Sequence, residues 1–218
     1  MSPSDRLFAR VREEVKRKLA GASGCHDFDH TLRVLANARM LAAQLPDADR
    51  QVVELAALLH DIARPEEMES QGRLCHAALG AKIAREMLLQ MGASEFTAAA
   101  VAEAVRSHRY RDEVEPQSLE AKIVFDADKL DSLGAVGLGR AFLFAGRVGA
   151  RLHNTDEEAL NAPAYSREDT AYREYLFKLR HLPGAMLTLP GRTEGTRRLR
   201  FMRRFFDRIE AEIHAAAE

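Results

Sequence analysis

The sequence has 218 residues, of which 46% are hydrophobic and 30% are charged, a composition typical of a globular chain with a sizeable core. Its formal net charge of −1 argues against a stable nucleic-acid partner. No apolar run approaches the roughly 20 residues that span a bilayer, the amino terminus is too charged for a signal peptide, and two cysteines make no disulfide framework, so a cytoplasmic protein without a membrane partner is expected.

Helical periodicity runs along almost the entire chain. Apolar residues recur at three- and four-residue spacing, whereas alternating β-branched runs are absent and residues 123–125 form the most strand-like stretch. This pattern predicts an all-α fold. The predicted helices cover residues 4–20, 29–45, 49–63, 76–91, 94–109, 119–132, 137–151, 167–180 and 193–215.

Residues that start and stop helices support these bounds. Ser94, Ser166 and Thr193 are predicted N-caps, and Gly92 is predicted to end the fourth helix. Two Pro-Gly pairs bracket a predicted loop over residues 183–191. No internal repeat or linker interrupts the chain, so a single domain is expected.

Four histidines lie at helix ends that are predicted to meet at one end of the bundle. His30 opens the second predicted helix and His60 closes the third. Each helix has roughly 15 residues, about 22 Å, and a short turn joins them, so they should run antiparallel. The fourth predicted helix starts at His76 at the same end and leaves, and the fifth returns to finish at His108. The four imidazoles are therefore predicted to converge.

Carboxylates reach the same end of the bundle from two segments. Asp61 follows His60 directly, and the sixth predicted helix supplies Asp126, Asp128 and Asp131. Imidazole and carboxylate ligands together suit Mn, Fe, Co, Ni or Zn rather than calcium, which prefers oxygen alone. Mg is a further candidate for the divalent ion. A bound divalent ion lowers the pKa of its water from about 15.7 toward 7 and offsets the negative charge of a phosphoryl group. The residues therefore indicate metal-dependent hydrolysis of a phosphate ester or anhydride.

Three segments resemble, in order, the sequence elements of the HD-domain phosphohydrolases: residues 30–34, 58–62 and 126–131. Within that superfamily, residues 26–30 and 128–135 are similar to the small bacterial branch of YedJ and YpgQ. The resemblance extends to the C-terminal helix. It implies a helical bundle whose members cleave phosphoester or nucleotide anhydride bonds, and a nucleotide as the small phosphorylated substrate.

The resemblance also implies a ligand set for one divalent ion: His30, His60, Asp61 and Asp128. Further histidines of such proteins, which hold a second ion or contact phosphate, correspond to His76 and His108. If a second ion binds, Asp61 would bridge the two; if not, these histidines would act on the substrate or the leaving group. The expected domain covers residues 1–218, with a metal-binding part at about 20–135 and the helices of about 137–215 packed on it.

Positive side chains near the ligands are candidates for binding the phosphates that do not react. Lys129 is the first candidate, and it would also stabilise charge that develops during the reaction. Arg64 and Arg109 are further candidates, although each of these cations could simply be solvated. His26 could face His30 as a ligand from one turn away or contact the substrate from a loop, and we expect the substrate contact.

Several acidic residues close to the predicted ligands allow alternative roles. Glu66 and Glu67 could position water as a general base, but two exposed glutamates after Pro65 are the simpler interpretation. Asp126 competes with Asp128 as a ligand, and the motif favours Asp128.

The last predicted helix interleaves arginines with aromatic and aliphatic residues. This amphipathic pattern favours a buried face opposite a solvated or interface-forming arginine face, so a homodimer is compatible with the sequence. The polar segment 153–167 could be a lid. The competing functional hypothesis is a nucleotide-binding or regulatory HD module without turnover. For a nucleoside triphosphate, attack at the α-phosphorus would release pyrophosphate and leave a monophosphate.

Overall fold

A computed structural model gives the structure of residues 2–21, 26–109 and 114–215, and no β-strand occurs among them. The all-α prediction is confirmed. The α-helices are α1 (Pro3–Lys18), α2 (Phe28–Ala42), α3 (Arg50–Leu59), α4 (Arg64–Glu69), α5 (His76–Gln90), α6 (Glu95–Ser107), α7 (Leu119–Asp131), α8 (Gly134–Arg147), α9 (Asp156–Asn161), α10 (Ala171–Phe177), α11 (Leu182–Ala185) and α12 (Leu189–Ala215), with a 3-10 turn at Leu179–His181. None of these helices is both long and apolar enough to cross a bilayer.

The chain divides into two compact units, Met1–Asp128 and Lys129–Glu218. In the first unit, α3 contacts α1, α2 and α6 and is therefore the central helix. Seven of its ten residues are buried, from Val52 to Leu59, which is expected of a helix surrounded by neighbours rather than lying on a surface.

Two local features bring the helices of the first unit close together. Gly80 of α5 faces Val105 of α6 and Ile62 after α3, whose methyls would lie 3.4 Å and 3.5 Å from a Cβ at this position, an ordinary van der Waals contact, so α5 packs on α6 and on the turn after α3 here. The buried Asn37 side chain of α2 donates to the Ala127 carbonyl of α7 at 3.1 Å. This hydrogen bond ties α2 to the part of α7 that carries the predicted ligand Asp128.

The second unit contains α8 to α12, in which α8 and α11 contact α12 and α10 contacts α8 and α9. Gly134 begins α8 at a φ of 75°, a conformation that favours glycine. A Cβ on Gly137 would meet the backbone of Ser132 at under 3.0 Å. Asp131 accepts from Arg140 at 2.6 Å.

The helix ends differ from prediction mainly in the second unit. The last helix begins at Leu189, before the predicted start at Thr193, because Pro190 fits a first helical turn, where no backbone N–H is needed. Thr170, rather than Ser166, caps α10, and α11 occupies part of the predicted loop. Ser94 caps α6 and Gly92 follows α5 at a φ of 86°, as predicted. Within the segment 153–167, α9 forms behind a capping box of Thr155; its role as a lid stays a prediction.

Candidate metal centre

Four helix ends carry the four predicted histidines. Asp27 caps α2 by accepting from the backbone N–H of His30 at 2.9 Å, which places His30 in the first turn. His60 is the C-cap of α3, His76 is the first residue of α5, and His108 is the C-cap of α6. All four residues are buried, with at most 1% of their surface exposed. The predicted convergence of the four histidines is confirmed.

A first group of possible ligand atoms lies around His30 Nε2. This atom is 3.1 Å from His60 Nε2, 3.6 Å from Asp61 Oδ2 and 3.5 Å from Asp128 Oδ1. His60 Nε2 in turn lies 3.5 Å from Asp61 Oδ2 and 4.0 Å from Asp128 Oδ1. Four side chains from three segments thus present donor atoms to one small volume. We call these atoms the first ligand group.

A second ligand group lies on the other side of the same carboxylate. Asp61 Oδ1 is 3.4 Å from His76 Nε2 and 3.6 Å from His108 Nε2, and these two nitrogens are 3.2 Å apart. One oxygen of Asp61 therefore faces each group. This is the arrangement in which a carboxylate can bridge two cations.

Hydrogen bonds to backbone carbonyls determine which nitrogen of two histidines carries the proton. His60 Nδ1 lies 2.8 Å from the Ala57 carbonyl, and His108 Nδ1 lies 2.6 Å from the Val105 carbonyl. A carbonyl only accepts, so both Nδ1 atoms are protonated, and in the neutral form of each ring the lone pair lies on Nε2.

The protonation states leave the donor atoms available to a cation. Burial lowers the pKa of His60 to about 3 and that of His76 to about 4, although the charge of Asp61 opposes both shifts. Burial raises the pKa of Asp61, but His60, His108, His26 and Arg64 reverse this and hold it well below its usual range. At neutral pH His60 and His76 are therefore neutral beside an ionised Asp61.

These donors fit a divalent cation in chemistry and in spacing. Two nitrogen ligands at right angles around an ion, each with a bond of about 2.1 Å, are about 3.0 Å apart. The Nε2 pairs, at 3.1 Å for His30 with His60 and 3.2 Å for His76 with His108, are close to this value. Neutral imidazoles and carboxylates suit transition-metal ions, and each ligand group could hold one.

An ion-paired network surrounds the second ligand group. Arg64 donates from Nε to Asp61 Oδ1 at 2.9 Å and from Nη1 to Glu67 Oε2 at 2.6 Å. Glu67 Oε1 lies 2.9 Å from His76 Nδ1 and 3.8 Å from Nη1 of Arg109. Burial raises the pKa of Glu67, but its contacts with His76 and Arg64 outweigh this effect, and the pKa is lowered on balance. The predicted substrate residues Arg64 and Arg109 thus both lie beside Glu67.

The two glutamates after Pro65 differ, and the interpretation of both as exposed is wrong. The side chain of Glu67 is only 12% exposed and lies in the network, whereas Glu66 pairs with Lys18 at 2.8 Å. The sequence shows that Glu67 lies close to the HD segment, and this was the one signal of a role. The sequence does not show its contact with His76, which follows nine residues later.

The remaining predicted residues lie at different places. His26 Nδ1 is 2.9 Å from Asp61 Oδ2, outside the start of α2, so it borders the first ligand group and could itself be a ligand. Asp126 is buried in α7. Lys129 follows Asp128 in α7, is buried, and is the first residue of the second unit.

Comparison with known proteins gives consistent matches over nearly the whole chain. The HD domain profile matches residues 27–133. YpgQ of Bacillus subtilis (strain 168) is 31% identical over 208 residues, which cover 94% of this chain and 92% of YpgQ. The crystal structure of B. subtilis YpgQ in complex with ADP superposes with a TM-score of 0.73 at 28% identity, covering 97% of each chain. An HD-superfamily hydrolase from an uncultured Thermotogales bacterium gives a TM-score of 0.67 at 30% identity, covering 95% of this chain and 91% of its own.

Proposed function

This chain belongs to the HD-domain family, and on that premise we propose that it is a metal-dependent phosphohydrolase acting on a nucleotide. The observation that carries the proposal is the pair of ligand groups that share Asp61. A buried carboxylate among imidazoles, with each oxygen facing a separate set of nitrogens, is suited to hold one or two divalent ions next to a phosphate.

The residues that would hold the first ion are His30, His60, Asp61 and Asp128. Asp61 Oδ1, His76 and His108 would hold a second ion; without one, these histidines would act on the substrate or the leaving group. A bound divalent ion lowers the pKa of a coordinated water toward 7 and neutralises charge on a phosphoryl oxygen.

The cationic side chains would orient the substrate. Arg64 is held in place by Asp61 and Glu67, so its guanidinium is preorganised beside the second ligand group. Arg109 lies next to Glu67 on the same side. We assign to both the binding of phosphates that do not react, to His26 a contact with the substrate, and to Lys129 the stabilisation of charge that develops during the reaction.

A nucleotide is the substrate class that the comparisons support, because YpgQ, which covers nearly the whole chain, was crystallised with ADP. The scissile bond is an ester or an anhydride. Attack at the α-phosphorus of a nucleoside triphosphate would release pyrophosphate, whereas attack at a terminal phosphate would release orthophosphate. Product identification separates these outcomes.

The test is a hydrolysis screen of the purified chain with Mn, Co, Ni and Mg and with nucleoside mono-, di- and triphosphates. We expect metal-dependent release of one phosphate product, and we expect Asp128→Ala to abolish it. Asp47→Ala, an exposed aspartate outside the ligand groups, is the matched control and should leave release unchanged. Bound metal and bound nucleotide without release from any compound would contradict the proposal and favour a binding module.

A further inference from the structure

The histidines of the two ligand groups differ in what holds their Nδ1 atoms. His60 and His108 each lie at the C-terminus of a helix, where the carbonyl three residues earlier, at Ala57 and at Val105, accepts from Nδ1. His76 is the first residue of α5, so no preceding helical turn supplies such a carbonyl. A side chain from another helix takes this place: Glu67 Oε1 lies 2.9 Å from His76 Nδ1.

We propose that Glu67 is the positioning residue that holds the proton of His76 on Nδ1 and thereby makes the second ligand group able to bind a cation. The inference deepens the proposed function and rests on it. The Nδ1 atom of His76 is buried and meets no acceptor in straight hydrogen-bond geometry, so the bent contact with Glu67 is the one that holds it.

The alternative tautomer of His76 would close the second ligand group. With its proton on Nε2, His76 would donate to His108 Nε2, which is 3.2 Å away and keeps its lone pair because Nδ1 is protonated. The two nitrogens would then satisfy each other. With the proton on Nδ1, both Nε2 lone pairs face the same small volume, and a cation between them is the favourable partner.

The second carboxylate oxygen of Glu67 orients another ligand of the same group. Arg64 bonds Glu67 Oε2 and Asp61 Oδ1 at once, so Glu67 reaches His76 directly and Asp61 through Arg64. Among the residues that the structure describes, the polar contacts of Glu67 are with His76, Arg64 and Arg109. Glu67 therefore contacts a histidine of the second ligand group directly and reaches the first group only through Arg64 and the shared Asp61.

The experiment compares Glu67→Ala and Glu67→Gln with Glu69→Ala, an exposed glutamate of the same helix. Imidazole ¹⁵N spectra of the metal-free protein report which nitrogen of His76 is protonated. Titration with Mn²⁺ by calorimetry reports the number and affinity of bound ions. A glutamine keeps a carbonyl oxygen that can accept from Nδ1, just as the backbone carbonyls do for His60 and His108.

We expect the wild type to hold the His76 proton on Nδ1 and to bind two ions. Glu67→Ala should move the proton to Nε2 and weaken the second ion on the order of 10- to 100-fold, the usual loss when a residue that orients a ligand is removed, with the first ion unchanged. Glu67→Gln should stay within a few-fold of wild type in both readouts, and Glu69→Ala should match wild type.

Four results would overturn the role of Glu67. One is an Nδ1 proton and an unchanged second affinity in Glu67→Ala; another is a glutamine variant that loses the ion as fully as the alanine variant; the third is a wild type that binds a single ion. Normal ion binding with turnover lost in both Glu67 variants would instead identify a general base, which also overturns the proposal. A wild type that binds no divalent ion contradicts the proposed function, and the metal-free spectra still decide whether Glu67 fixes the tautomer.

Discussion

Asp61 is the residue whose substitution should affect both ligand groups at once, since one oxygen faces each. Asparagine has nearly the same shape as aspartate, but one of its terminal atoms is an amide nitrogen that cannot ligate a cation. The substitution also removes the negative charge of the carboxylate. Asp128, by contrast, is a candidate ligand of the first group only. Asp61→Asn and Asp128→Asn therefore form a matched pair.

The expected size of the effect follows from linkage. An ion at 100 times its dissociation constant stabilises the folded chain by about 2.7 kcal/mol, which raises the Tm of a chain of this length by about 5–11 °C. Removal of a charged ligand should weaken binding at least 100-fold, since loss of a residue that merely orients a ligand already costs about 10- to 100-fold. The stabilisation left is then about 0.4 kcal/mol, or roughly 1–2 °C.

The assay is thermal unfolding of each variant with and without Mn²⁺, so that any change in the stability of the metal-free protein cancels in the difference. Asp61→Asn should lose nearly all of the Mn²⁺-dependent shift. Asp128→Asn should keep the part that comes from the second ligand group, and Asp47→Asn should keep the whole shift. A full shift in Asp61→Asn would refute the assignment of Asp61 as a shared ligand.

Two further predictions concern packing around the helices. Gly137→Ala should destabilise the protein by about 1–3 kcal/mol in urea unfolding, because the new methyl meets the backbone of Ser132, whereas Gly139→Ala, with open space around it, should be neutral or stabilise by up to about 1 kcal/mol. Equal effects of the two alanines would contradict this. Asn37→Ala should cost about 1–3 kcal/mol, because the carbonyl before Asp128 loses a buried donor, and should weaken the first Mn²⁺ ion in calorimetry; unchanged ion affinity would show that this hydrogen bond does not position Asp128.

Sequence alone determined the helical class and the gathering of the four histidines at helix ends. Both depend on local chemistry: apolar spacing of three and four residues defines a helix, and the positions of its ends follow from residues such as Ser94 and Gly92. Since a short turn makes two successive helices run antiparallel, a residue at the start of the first helix lies near a residue at the end of the second. His30 and His60 could therefore be brought together without knowledge of the packing.

Only the tertiary structure decided how the ligands divide into two groups and what orients them. Which oxygen of Asp61 faces which imidazoles depends on side-chain rotation within a packed site, and no sequence spacing encodes it. Glu67 looked like a solvated residue because its partner His76 lies beyond a turn that contains Gln71 and Gly72, both at positive φ. That turn and the packing of α4 on α5 set the contact, so the burial of Glu67 is a property of the fold rather than of its local sequence.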